Sequence, residues 1–307
     1  MKTLLEFNSL RGGYAIDDDL TVQFINTLLY KTDIKDFTNA NGFTELHKTF
    51  PEKYRYWITD SEYNSVQGLD NYNYQTVTNG TSESFVMFML RYSSYKKFKF
   101  FRGDFIMHKI ASNIAGVKWS WIDTADEVES DDAVIISCPF SDFGCEHPEM
   151  DKLFERCNSL GVPVLVDMAY YGMCDNINID LEQDCIDDVV FSLGKTFPII
   201  NFRAGVRFSK YDVDDPVAFA NTHGIINSVG AFVGSKLLEH FGADYIPSKY
   251  RSIANEVCSD LKVEPTKCVI FGSSNRRIHS ELNRGNKFTR VCLSTLIRDK
   301  YDRQSSN

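Results

Sequence analysis

Several kinds of signal are missing from this 307-residue chain. No apolar run approaches the ~20 residues that a membrane span needs. The start, Met1-Lys2-Thr3-Leu4-Leu5, follows its single cation with only two leucines, too short a run for a signal peptide. Lysine and arginine form no basic tract and the formal net charge is −9, which sets aside a general nucleic-acid surface. Cysteine occurs eight times, never as Cys-x-x-Cys and never beside paired histidines. That scatter predicts reduced thiols in a cytoplasmic compartment, without a zinc site or a disulfide frame. The six histidines (47, 108, 147, 223, 240 and 279) show no metal-ligand spacing and read as structural or solvent-exposed. No Gly-x-Gly-x-x-Gly follows a strand-like run, which weakens a nucleotide-binding reading. Internal repeats and low-complexity tracts are lacking too.

What is present is core material, with 23 Phe and 15 Tyr, in a length that suits one large domain or two modest ones. Apolar runs without polar alternation recur at Lys97–Phe101, Val117–Ile122, Ala133–Ser137, Val162–Val166 and Asp188–Leu193, with helical patterns between some of them. Such runs predict buried strands of a mostly parallel sheet covered by helices on both faces, an α/β fold. Helices are expected at Asp18–Lys31, after Gly80, from Asp104-Phe105, at His147–Leu160, across about Pro216–His240 and at Ser248–Leu261. The stretch Pro51–Tyr74 is polar and tyrosine-rich, with no clean period. Short strands at Cys268–Phe271 and Phe288–Leu293 suggest a smaller α+β unit, and 302–307 read as a polar tail. The expected division is a large domain over 49–212 and a small one from 1–48 and 213–307.

In a parallel sheet the ligand lies beyond the carboxyl ends of the strands. Ser137 and Pro139, Asp167 and Lys195 all fall at such ends. A lysine at the edge of a buried sheet can lose its proton and attack a carbonyl. Ser192, three residues before it, offers a hydroxyl, and Arg203, eight after it, can clamp a phosphate. Together these favour an aldehyde that carries a phosphate, such as pyridoxal phosphate; a surface lysine and an unrelated arginine is the plain alternative. Gly80-Thr81-Ser82 before an apolar run forms either an anion site at a helix N-terminus or an ordinary capped helix. Asp167 suits a ring nitrogen and Tyr170 a phenolic oxygen, or else they are an N-cap and a core tyrosine.

The order of these motifs resembles the fold-type-I pyridoxal-phosphate enzymes, specifically the class I/II aminotransferases, closely over 77–210 and loosely elsewhere. The resemblance implies a large domain with that family's fold and a pyridoxal 5'-phosphate cofactor. It places Gly80, Thr81 and Ser82 at the phosphate, Phe105 on the pyridine face, and Asp167 and Tyr170 on the ring nitrogen and phenolic oxygen. Ser192 and Arg203 would complete the phosphate site, Lys195 would form the Schiff base and shuttle the proton, and Arg290 would bind the substrate carboxylate, with Arg276 and Arg277 as alternatives. The implied activity is transfer of an amino group between an amino acid and a 2-keto acid, in a homodimer; the tyrosine-rich stretch 54–74 is a candidate to supply a residue across its interface. One departure bears on chemistry. Ser141 stands where the family usually has an asparagine that donates to the phenolic oxygen, which keeps in play a lyase, decarboxylase or cyclising enzyme, or a binding protein without turnover.

Overall fold

The computed structural model describes residues 10, 12–33, 35–36, 45–284, 286 and 288–305. The leader reading of the first residues therefore lies outside the described residues, as does the last part of the polar tail. In chain order come α1 (Asp19–Lys31), α2 (Leu46–Thr59), β1 (Ser65–Gln67), β2 (Tyr74–Thr78), α3 (Thr81–Tyr92), β3 (Lys97–Phe101), α4 (Ile106–Ala115), β4 (Trp119–Ile122) and β5 (Asp132–Ser137). They are followed by α5 (Met150–Leu160), β6 (Val164–Met168), β7 (Asn178–Asp180), β8 (Ile186–Ser192), β9 (Gly205–Ser209), α6 (Pro216–Thr222), α7 (Ser228–His240) and α8 (Tyr245–Leu261). Last are β10 (Glu264–Pro265), β11 (Phe271–Ser274), β12 (Thr289–Cys292) and α9 (Ser294–Ser305).

Seven strands form the main sheet in the order β2-β9-β8-β6-β5-β3-β4. Every ladder is parallel except the two that β9 makes with β8 and β2, so the fold is α/β with a mostly parallel sheet. The absence of alternation in β5, β6 and β8 has a direct cause, since every residue of each is buried. One face, with Ala133, Ile135, Leu165 and Val190, packs under Phe85, Phe88 and Met89 of α3 and Ala111 of α4. The other, with Val134, Ile136, Val166 and Phe191, joins the larger cluster that includes Phe50, Tyr54 and Trp57 of α2. A separate antiparallel sheet β10-β11-β12 takes up the C-terminal part, and Leu10 accepts a hydrogen bond from the Cys292 amide beside it.

Four expectations need correction. The stretch from Pro51 begins inside α2, whose buried Phe50, Tyr54, Trp57 and Ile58 recur at helical spacing despite the internal proline. Its pattern was masked by charged and exposed residues such as Lys53 and Tyr56 on the outer face. The pattern Pro216–His240 is two helices, because Gly224 takes φ +68° and breaks the first, while Asn227 caps the second by accepting from the Gly230 amide. The C-terminal strand lies at Phe271–Ser274 rather than Cys268–Phe271, and the supposed tail continues α9 to Ser305. Of the tyrosines in 54–74, Tyr54 and Tyr72 are buried within the chain, and Tyr56, Tyr63 and Tyr74 remain exposed.

Candidate active site

The ladder register sets the rim. Ser137 pairs with Asp167, and Ser192 ends β8 beside them. Because β9 runs the other way, its start lies on the same rim: Ser192, Gly205 and Thr78 are in register across three strands. That reversal returns Arg203, just before β9, to the turn after β2. Gly205 is needed there, since a Cβ would meet the Phe191 carbonyl at 2.5 Å and the Gly80 Cα at 3.0 Å.

A cavity of about 200 Å³ opens on this rim. Thr81, Ser82, Phe105, Ser141, Asp167 and Tyr170 border it, and so do Ser192, Lys195 and Arg203. Larger clefts open beside His47 and Asp212 and beside Glu146 and Lys267, but neither joins a buried amine to a carboxylate at a strand end.

Gly80 is the N-cap of α3 and has no side-chain cap, so neither Thr81 nor Ser82 takes the capping role and the first amides of the helix remain open. At φ +97° and ψ −177° this backbone is glycine territory. A Cβ here would stand 2.9 Å from Arg203 Nη2 and 3.4 Å from Ser192 Oγ. Open amides, two hydroxyls and a guanidinium thus surround a space that only glycine leaves free, a cradle fit for a phosphate.

Lys195 follows β8 in a tight turn in which the Gly194 amide donates to Ser192 Oγ at 3.3 Å. Burial, then the charges of Arg203 and Arg290, pull its ammonium below the ordinary lysine range. Its Nζ donates to the Gly13 carbonyl at 2.9 Å and lies 5.4 Å from the Tyr170 ring centroid. The Tyr170 hydroxyl donates to the same carbonyl at 3.2 Å, and burial pushes that phenol up. Asp167 is 3 % exposed and accepts the Ala169 amide on Oδ1 at 3.0 Å, leaving Oδ2 free of that bond.

Arg290, in β12, does not border the cavity directly but is buried behind Ser141, donating to its carbonyl at 2.6 Å and its hydroxyl at 3.0 Å. Arg276 and Arg277 are exposed and absent from the rim. Arg284, like Arg290, meets Ser141 from behind: its Nη1 lies 3.4 Å from Ser141 Oγ and its Nε 3.8 Å from Asp142. Burial pushes the Asp142 carboxyl up to about 6, even with Arg284 and Arg290 opposing that rise. Gly13, Arg284, Asp104 and His108 were not singled out as site residues from the sequence. Only the last two had a legible signal: Asp104 and His108 are four apart and His108 follows Phe105 by three, so they share a helical side with the expected ring-stacking residue.

The cradle, the half-buried amine and the strand-end carboxylate fit the three ends of pyridoxal phosphate: phosphate, aldehyde and ring nitrogen. Comparisons with known proteins agree. The family described as aminotransferase class I and II matches residues 74–252. No curated protein matches the chain. Among solved structures, the PLP-bound C-S lyase from Staphylococcus hominis is 10% identical with TM-score 0.67, covering 96% of this chain and 89% of that one. L-threonine-O-3-phosphate decarboxylase from Porphyromonas gingivalis is 12% identical with TM-score 0.66, over 97% of this chain and 99% of its own. The aromatic aminotransferase from Pyrococcus horikoshii OT3 is 14% identical with TM-score 0.66, over 94% and 92%. At these identities the likeness speaks for the fold, and three reactions share it. The family match spans more than half of the chain, which therefore belongs to the class I and II aminotransferases, fold-type-I enzymes whose cofactor is pyridoxal 5'-phosphate.

Proposed function

We propose that the chain is an aminotransferase that moves an amino group between a small amino acid and a 2-keto acid. The observation that carries this reading is Lys195: an amine displaced toward its neutral form, on one cavity with Asp167 and close enough to Arg290 to feel its charge. Bound pyridoxal phosphate supplies an aldehyde carbon and an electron-withdrawing ring. In this reading Gly80, Thr81, Ser82, Ser192 and Arg203 hold the phosphate, and Phe105 packs on the ring. Asp167 keeps the ring nitrogen protonated, and Tyr170 turns its hydroxyl from the Gly13 carbonyl to the phenolic oxygen. Lys195 Nζ, the attachment point, would take the proton from the substrate α-carbon and return it to the former aldehyde carbon, work that requires a neutral amine. Arg290 orients the substrate carboxylate once Ser141 yields its place.

A second reading, elimination or decarboxylation on the same scaffold, is favoured by one observation. The Ser141 hydroxyl accepts from Arg290 and Arg284 and stands where the family usually has an asparagine that donates to the phenolic oxygen, so the cofactor would be tuned differently. A homodimer goes with either reading. Its support is an apolar stripe at i, i+4, i+8 on α4 beside the cavity, Ile106, Ile110 and Ile114, exposed by 47 %, 39 % and 78 %. A monomeric sedimentation profile would remove it. The two-domain division at 48 and 212 and a cytoplasmic location are proposed with it.

The test is a visible absorption spectrum of the protein with added pyridoxal phosphate, then with a panel of amino acids. A band that is lost in Lys195→Ala and bleached by one amino acid, with release of its keto acid, supports transamination. A band consumed with release of ammonia or carbon dioxide supports the second reading. Lack of any band refutes both.

A further inference from the structure

The ladder between β2 and β9 ends at the pair Thr78 and Gly205, so the two arms of the phosphate cradle run on beyond it. One arm is Asn79-Gly80 and the other is Arg203. Arg203 is exposed, so the aim of its guanidinium depends on how its backbone is held. Asn227, the residue before α7, reaches both arms. Its Nδ2 donates to the Arg203 carbonyl at 2.9 Å and to Asn79 Oδ1 at 3.2 Å, while its Oδ1 accepts the Gly230 amide at 3.0 Å. A carbonyl on one side and an amide N–H on the other permit only this orientation of the side chain. Asn79 is held in turn. Its backbone amide donates to Glu83 Oε2 at 2.9 Å and its Nδ2 to Glu83 Oε1 at 3.4 Å, which turns its Oδ1 toward Asn227. Gly230 brings α7 close enough for these bonds. A Cβ there would lie 2.7 Å from the Arg203 carbonyl oxygen, 2.7 Å from Asn227 Nδ2 and 2.8 Å from the Phe202 carbonyl oxygen.

We propose that Asn227 is a positioning residue for the phosphate, a staple that ties the backbone of Arg203 to the Asn79-Gly80 turn and sets the spacing of the cradle before a ligand arrives. The inference rests on the assignment of that cradle to the phosphate of pyridoxal phosphate. It extends the assignment to a residue that does not border the cavity.

Helix capping alone does not account for this side chain. Asparagine, aspartate and serine cap about equally well, and a cap uses only the side-chain oxygen. Of the three, only asparagine also offers two N–H donors on one atom, and here each donor takes an acceptor from a different arm. Shifting the Arg203 carbonyl would turn its Cα–Cβ bond and sweep the guanidinium at the far end of a long side chain. Holding that carbonyl therefore orders the arginine in advance, and less freedom is lost when the anion binds. The close approach at Gly230 acts on the same carbonyl from the helix side.

The test measures, on the full chain, the affinities for pyridoxal 5'-phosphate and for pyridoxal by absorbance. Asn227→Ser keeps an oxygen to cap α7 and adds no charge, but its single hydroxyl cannot span both arms. Affinity for pyridoxal phosphate is expected to fall about tenfold, as for one misdirected charge-assisted hydrogen bond, while that for pyridoxal is kept. Gly230→Ala leaves every donor of Asn227 in place and should narrow the same preference by displacing the Arg203 carbonyl; it also serves should Asn227→Ser fail to fold. Equal losses for both ligands would mean that Asn227 is merely a cap, and an unchanged preference would mean that Arg203 keeps its aim without it; either result overturns the proposal. An unsubstituted protein that bound pyridoxal as tightly as pyridoxal phosphate would overturn the phosphate assignment itself, and this proposal with it.

Discussion

Replacing Gly80 by alanine tests the phosphate cradle most directly. The residue sits at φ +97° and ψ −177°, a region that side chains other than hydrogen avoid at a cost of about 1–3 kcal/mol. For domains approaching this size 1 kcal/mol corresponds to about 2–4 °C, so the apo protein should melt roughly 2–12 °C lower. A second effect falls on the ligand. The new methyl would lie 2.9 Å from Arg203 Nη2, closer than carbon and nitrogen normally approach, and 3.4 Å from Ser192 Oγ. The guanidinium is the flexible end of an exposed side chain and would yield by several tenths of an ångström, losing its aim at the phosphate. One misdirected charge-assisted hydrogen bond is worth about 1.5–3 kcal/mol, or at least about tenfold in Kd. Titrating Gly80→Ala with pyridoxal phosphate and with pyridoxal, by absorbance, separates the two effects. The phosphorylated ligand should lose affinity while pyridoxal does not. Equal losses for both, or an unchanged melting temperature, would refute the reasoning.

Other expectations follow from the charges around the cavity. Lys195 has its folded-state pKa lowered, so the unfolded chain binds the extra proton between that value and 10.5, and the lysine costs stability below the window. Lys195→Met should therefore raise the apo melting temperature at neutral pH, a gain that shrinks as pH rises toward 10.5; thermal melts at several pH values would show it. Asp142 has its pKa raised from 3.8 to about 6, so its contribution falls as pH climbs through that interval. Asp142→Asn should gain relative to the unsubstituted protein by up to about 3 kcal/mol above pH 6 and nothing below pH 4, read from denaturant unfolding. Arg290→Ala removes the donor to the Ser141 carbonyl and is expected to cost about 1–3 kcal/mol in unfolding experiments. Its KM for the amino-acid substrate should rise by roughly tenfold or more, with the cofactor still bound.

The sequence by itself determined the strand runs and most of the residues on the rim. Strands buried on both faces must be continuously apolar, and this composition survives without coordinates in Ala133–Ser137, Val162–Val166 and Asp188–Leu193. Chemical residues placed just past such runs must share one edge if the strands are parallel, which made Asp167 and Lys195 legible together. Helix α2 was hidden, because a proline and exposed charges obscure a periodicity that only its packing partners reveal. The break between α6 and α7 was likewise invisible, since the run reads as one helical pattern and only the positive φ of Gly224, in the five residues between them, reveals the interruption. Tertiary structure alone decided which distant residues meet. The antiparallel turn of β9 carries Arg203 back to Gly80, and the N-terminal segment lays the Gly13 carbonyl across Lys195 and Tyr170. Likewise β12 sets Arg290 behind Ser141, and the seat of α4 puts His108 between Asp104 and Asp167. Local sequence encodes periodicity and caps, whereas such meetings depend on strand order and helix seating, quantities that no window of neighbouring residues contains.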